Sequence, residues 1–286
     1  MRRLTPYLYI LPGVGAYFVL AFIPLLQTGW ISFHEWDGIG DPLWVGLDNY
    51  RELVSDEAVR GTFTNALVLI IYHSILPVVL GLVLAALLTR VALRGAGFFR
   101  VVLFMPFTIS LVVVAVAWQW IYAPQGPANA ALDAVGLDSW TRGWLGDFTF
   151  ALPAVGITAA WVTFGFPLVL FIAGVAKIPA SLYDAARIDG AGPVREFFAV
   201  TLPALRNELV IAIGFTVITT LRSFALVYVM TQGGPGSETR VPAIELYERA
   251  FVQFDVGSAA AIGIALTALI FLVTVAIVYA FERGQE

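Results

Sequence analysis

The sequence has no cysteine, one lysine and two histidines. The missing cysteine excludes disulfides, thiolate metal sites and a cysteine nucleophile. The single lysine, Lys177, is followed by Ile178, so no G-x-x-x-x-G-K-[ST] run can cradle nucleotide phosphates, and the chain hydrolyses no ATP through a P-loop. With His34 and His73 far apart and no paired carboxylates in the apolar segments, there is no catalytic constellation and no expected metal site. Charge is scarce too: 13% of residues are charged, against about 25% in a soluble domain. The net charge of −4 is no nucleic-acid signature.

Long apolar runs take the place of charge. Residues 4–34, 61–89, 101–132, 148–176 and 256–281 carry no charged side chain, and 209–230 is interrupted only by Arg222. A spanning helix needs roughly 20 mostly apolar residues. The reading is an all-α membrane protein of six transmembrane helices in one domain, residues 1–286, with spans at 7–31, 65–89, 100–122, 150–175, 207–230 and 257–281. Lipid enforces the helices, because an unpaired backbone group in hydrocarbon costs several kcal/mol. Pro12, Pro24, Pro77, Pro106 and Pro167 lie inside spans, where each removes a donor and tends to kink its helix. Arg2 and Arg3 ahead of an apolar stretch resemble a secretion signal, but the stretch is too long for one and no A-x-A site follows, so an uncleaved first helix is expected.

Six spans put both termini on one side. That side carries Arg2, Arg3, Arg90, Arg94, Arg100, Lys177, Arg187, Arg195, Arg206 and Arg283; the other carries Arg51, Arg60, Arg142, Arg240 and Arg249. The positive-inside rule then makes both termini cytoplasmic in a multi-pass plasma-membrane protein. The external loops at about 32–64 and 123–149 are rich in Trp, Gly and Asp. They are read either as interfacial caps or as docking surfaces for an outside partner.

The cytoplasmic stretch 176–206 is patterned, not a plain linker. Pro179 and Ser181 open a short helix, with an apolar side of Leu182, Ala185, Ala186 and Ile188. Gly190 ends it, as glycine does where φ turns positive. A second short helix over about 193–199 follows, and Leu202-Pro203 leads into the fifth span. The elbow, 181–196, is expected along the membrane surface, either as an amphipathic connector or as a docking element for a soluble partner.

Here the sequence resembles the permease subunits of bacterial ABC importers, which carry an E-A-A, three residues, G, nine residues, I-x-L-P signature in this loop. Asp184-Ala185-Ala186 stands at the right spacing from Gly190, Val200, Leu202 and Pro203. Asp184 replaces Glu and Val200 replaces Ile. The likeness covers nearly the whole chain and is strongest to the maltose-permease-like first subunit of the sugar branch. Tyr9 to Pro12, Pro24-Leu25, Ser32-Phe33 to Trp36, Gly46 to Tyr50 and Asn65 resemble that branch. The stretch Thr231-Gln232-Gly233-Gly234-Pro235-Gly236 resembles its T-x-G-G-P loop.

The resemblance implies a cytoplasmic coupling helix between helices 4 and 5, with Asp184, Ala185, Ala186, Gly190, Leu202 and Pro203 forming the ATPase contact. It implies an ABC ATPase dimer, a sister permease, an external solute-binding protein, surrounding lipid and a sugar substrate. ATP-Mg would sit on the ATPase, with no cofactor on this chain. Arg222, the charged residue within a span, is by default a functional-site hypothesis; snorkelling and a bond to helix carbonyls are the bland alternatives. Arg222, Tyr72, His73, Gln119, Trp161 and Tyr228 are the candidate pathway residues, the polar ones among spans two and three being read first as helix–helix hydrogen bonds. Two other readings stay open: a secondary transporter or facilitator working without an ATPase, and an ABC permease for a non-sugar solute such as glycerol phosphate.

Overall fold

The computed structural model describes residues 5–90 and 95–282. Arg2, Arg3, Arg94 and Arg283, counted in the charge asymmetry, lie outside the described residues. Among the described residues the fold is helical apart from turns and one small antiparallel hairpin, which pairs His34 with Trp44 and Glu35 with Leu43. The chain divides into two compact units: Met1–Arg60 with Pro242–Leu269, and Gly61–Val241 with Ile270–Glu286.

In the first unit the run expected over 7–31 is helical as Thr5–Tyr17, a π turn Phe18–Phe22 and Ile23–Ile31. Its stretch Tyr9–Ile31 is long and apolar enough to cross a bilayer, and none of its most apolar window is buried within the chain. Such a surface suits lipid or another apolar helix. Residues 32–60 are more ordered than a loop. The buried Asn49, on helix Asp48–Ser55, donates to the carbonyls of Ser32 and His34 at 3.0 and 2.9 Å. The hydroxyls of Tyr50 and Ser32 lie 2.6 Å apart. The amide of Val256 donates to the Trp36 carbonyl at 2.9 Å, and Gly257 lies so close to the His34 carbonyl that a Cβ has no room.

This unit also holds a buried arginine. Arg249, on helix Pro242–Phe251, donates from Nε to Glu245 at 2.9 Å, from Nη1 to Glu52 at 2.7 Å and from Nη2 to Asp56 at 3.0 Å. Nη1 also reaches the Ser258 hydroxyl. Burial alone would lower its pKa; the hydrogen bonds and charges of Glu245 and Glu52 outweigh burial and raise it.

The second unit is built on close helix approach. Val78, Ala85, Leu168, Phe171, Ile172, Leu205 and Ala212 form its core around helices Leu76–Arg90, Gly165–Val175 and Arg206–Leu221. Small residues allow that approach: a Cβ on Gly81 would stand 2.9 Å from the Leu168 amide nitrogen. The second span's helix begins at Glu57, ahead of the expected 65, because residues 57–64 continue the helical pairing without a break. The last span is one helix, Val256–Glu282.

Three spans differ from the continuous helices expected. The segment 100–122 is two helices, Ala96–Thr108 and Leu111–Ile121, bent by 97° at Ile109–Ser110. Pro106 removes a donor near the break; at the helix end the Ile109 amide turns to the Pro106 carbonyl, and the Thr108 hydroxyl donates to the Met105 carbonyl. The segment 150–175 is divided at Phe164 into Ala151–Thr163 and Gly165–Val175. The segment 207–230 ends its first helix at Leu221, is irregular over 222–224, and resumes as Ala225–Thr231. Among the described residues three helices are long and apolar enough to cross a membrane unbroken, and four more helix pairs qualify only when each bent pair is taken together.

The three π turns among the described residues share a cause. Phe18–Phe22 precedes Pro24, Ile71–Ile75 precedes Pro77, and Phe197–Thr201 precedes Pro203, each proline two residues after the turn. A helical proline lacks its amide hydrogen and its ring clashes with the carbonyl four residues back. That carbonyl belongs to the middle residue of each π turn, and the wider turn carries it away from the ring.

Candidate functional site

Two places gather the chemistry expected from the sequence, both in the second unit. The first is the elbow. After Gly165–Val175 the chain bends by 77° into helix Ala180–Ile188. The helix opens one residue ahead of Ser181; Pro179 is the cap residue and no side chain caps it, so Ser181 does not take the role expected of it. It ends in a complete Schellman motif: the Gly190 amide donates to Arg187 and the Ala191 amide to Ala186, with Gly190 at φ +77°. The second helix is Pro193–Glu196, which passes through the π turn Phe197–Thr201 into Leu202–Ala204. A further bend of 72° leads to Arg206–Leu221.

The elbow's outer side carries Asp184 and Ala185, both exposed, with Ala186 half-buried beside them. The apolar side expected from the pattern also points outward in large part: Ile188 is 86% and Leu182 49% exposed. Val194 and Phe198 extend this surface. Leu202 is half-buried and Pro203 exposed, both beyond the π turn. The inner side is polar. Tyr183 and Thr201 hydroxyls lie 3.0 Å apart, and Arg187 Nε donates to the buried Glu196 at 2.9 Å. Arg187 also meets Asp184 at 3.5 Å on the exposed side.

The second place is a cavity of about 640 Å³ at the breaks in the third and fifth spans. Phe107, Phe215 and Phe224 give it aromatic walls, and His73, Thr163, Thr219 and Arg222 give it polar groups. His73 Nε2 lies 3.0 Å from the Thr163 hydroxyl. Phe215 packs on Phe166 with ring centroids 4.3 Å apart. Arg222 is the cap residue closing helix Arg206–Leu221, and its side chain is exposed, with no ion pair among the described residues.

The other pathway candidates fall elsewhere. Tyr228 stacks on the lining residue Phe224 at 5.0 Å. Gln119 donates to the carbonyls of Val229 and Met230 at 2.7 and 3.2 Å, tying the third span to the short helix Ala225–Thr231. Tyr72 packs against Gly156 so closely that a Cβ there would clash. Trp161 packs on Trp118, centroids 5.6 Å apart. Among the lining residues absent from the sequence reading, Thr219 and Phe224 stand close to the Arg222 interruption and Phe107 follows Pro106, while Thr163 and Phe215 carry no such signal.

The stretch 231–240 is also organised from a distance. Gln232, Gly233 and Gly236 all take positive φ. Asn65 donates to the carbonyls of Ser237 and Arg240, both at 3.0 Å, so two features singled out separately in the sequence meet in space.

Comparison with known proteins gives this geometry a context. Residues 77–286 match the family described as binding-protein-dependent transport system inner membrane component. The trehalose/maltose transport system permease protein MalF of Thermococcus litoralis is 35% identical over 269 residues, covering 93% of this chain and 88% of that protein. The diacetylchitobiose uptake system permease protein NgcF of Streptomyces coelicolor is 33% identical over 299 residues, covering 99% and 85%. A chain from the crystal structure of a bacterial ABC transporter involved in the import of the acidic polysaccharide alginate shares the fold at TM-score 0.83 and 20% identity, covering 100% of this chain and 97% of that one. The chain thus belongs to the family of binding-protein-dependent transport system inner membrane components.

Proposed function

We propose that the chain is the permease half of an ATP-driven carbohydrate importer, with termini on the cytoplasmic side. An ABC ATPase dimer would dock on the elbow, a sister permease would complete the pathway, and an external binding protein would deliver the sugar. The observation that carries this reading is the elbow itself. It presents Asp184, Ala185 and the exposed Ile188 outward, between two bends, in a chain that has no phosphate-binding loop of its own. The two relatives named for sugars support carbohydrate as the solute class. The cavity suits it, since aromatic faces beside a few polar groups are the usual make-up of a small-molecule site.

In this scheme ATP binding closes the ATPase dimer and pulls the elbow, and the spans swing between inward-open and outward-open states. Such a switch is driven only by the difference in binding free energy between the two states. His73, Arg222 and the threonine hydroxyls would meet the passing solute.

Gly190 offers the direct test. A Cβ there meets nothing within 4 Å in this chain, so within the chain a substitution acts through the backbone at φ +77°. Left-handed φ costs an ordinary residue about 1–2 kcal/mol, and a β-branched one is worse placed than Asn. Gly190→Val is expected to lower uptake at least tenfold at unchanged membrane level, while Gly190→Asn retains most of it. Normal uptake by Gly190→Val would overturn the coupling role. Purification from the native host should recover an ATPase and a second permease near stoichiometrically; recovery of the chain alone, still transporting without ATP, would replace the importer reading with a facilitator.

A further inference from the structure

We propose that Tyr183–Thr201 and Arg187–Glu196 are two struts that bind the elbow helix to the arm of the fifth span, making Arg187 and Tyr183 positioning residues for transport. The inference rests on the coupling reading above for its purpose, though not for its geometry.

The elbow helix Ala180–Ile188 and the arm Pro193–Ala204 are joined by a tight turn. Behind the helix lies a cavity of about 450 Å³, lined by Ala86, Val175, Tyr183, Arg187, Glu196 and Thr201 among others. Close packing therefore does not hold the helix on that side. What crosses the gap is polar: the Tyr183 and Thr201 hydroxyls at 3.0 Å, and Arg187 Nε to Glu196 at 2.9 Å. Glu196 and Thr201 are 5% and 4% exposed, so the arm's ends of both struts are anchored in the protein. The Arg187 side chain is 61% exposed.

The π turn sets the register. Tyr183 and Arg187 are four residues apart and share a face of an α-helix. Their partners, Thr201 and Glu196, are five apart and would diverge on an ordinary helix. The turn Phe197–Thr201, closed by the Leu202 amide on the Phe197 carbonyl, brings residues five apart onto one face. Two struts can then form side by side. Two parallel ties resist both tilt and roll of the elbow helix, which a single tie does not, so a displacement of the elbow passes to the fifth span.

This chain has no cysteine of its own to compete for label, so it can be labelled before assembly with its partners. Spin labels at S181C and N207C, both exposed positions, report the distance between the elbow and the foot of the fifth span in the full complex in nanodiscs. With both struts intact the distance distribution is narrow and an ATP analogue leaves it unchanged. In Y183F/R187Q it is expected to broaden at least twofold, and the analogue shifts its mean, because the elbow follows the ATPase while the span lags. The charge swap R187E/E196R, tested with Tyr183 intact, should narrow it again; Y183F alone, nearly isosteric, should broaden it partway. A double variant as narrow as the parent overturns the struts, and broadening with no nucleotide-dependent shift overturns their transmitting role. If no ATPase accompanies the parent complex, the coupling reading fails instead, while the nucleotide-free widths still decide whether the struts exist.

Discussion

Arg249 and Arg187 both gather carboxylates, yet their surroundings differ. The Arg249 side chain is 8% exposed and its three nitrogens meet Glu245, Glu52, Asp56 and Ser258. Arg187 is 61% exposed and shares its charge between the buried Glu196 and the exposed Asp184. In the first case the guanidinium is largely out of solvent, four of its five N–H donors are used, and loss of the cation takes the charge partner from the buried Glu245. In the second, solvent screens one side and only the Glu196 end is fixed. The first arrangement suits a part of the protein that keeps one shape; the second suits a joint under load.

That contrast predicts an order of effects. Arg249→Ala should be the most damaging, about 3–5 kcal/mol, as for a buried pair stripped of one partner. Thermal unfolding in detergent would show it, and Arg249→Lys should recover only part, because an ammonium lacks the planar fork. Asn49→Ala, in the same unit, removes donors to two carbonyls and should cost about 1–3 kcal/mol. Arg187→Ala should cost about 1–2 kcal/mol, since Glu196 loses its cation but Arg187 was half in water. If Arg187→Ala unfolds the protein more readily than Arg249→Ala, burial is not what separates the two sites. Asp184→Ala should change stability least, by less than about 0.5 kcal/mol, because its pair with Arg187 is an exposed i,i+3 contact. Its uptake assay sharpens the comparison: a large transport loss at unchanged stability marks the carboxylate as a contact to a partner.

Much of the fold was legible because lipid leaves few choices. The runs at 4–34 and 256–281 lack charge and end at acids, and each holds a helix of spanning length, Tyr9–Ile31 and Val256–Phe281. The positive φ of Gly190 was legible from spacing alone, since the residue closes a short helix before a second one. The breaks at Ile109–Ser110 and at 222–224 were hidden, because hydropathy records how apolar a segment is and not its direction. The cavity was hidden with them: it forms where two spans are interrupted, and Phe107 and Phe215 in an apolar run look like any lipid-facing residue. Arg222 stood out as a charge, but the sequence showed it inside a helix, whereas it caps one. The ties of Gln119 and Asn65 to carbonyls more than a hundred residues away follow from tertiary contact that no local pattern carries.

The prolines after the π turns have a consequence for anyone drawing these helices as projections. A π turn acts as a one-residue insertion, so a wheel drawn at 100° per residue is about 100° out of phase beyond Phe22, Ile75 and Thr201. Faces assigned continuously across those points will mix lipid-facing and inward positions. The same offset bears on chimeras: a segment exchanged with a relative should carry its π turn and its proline together, or the transplanted half arrives rotated.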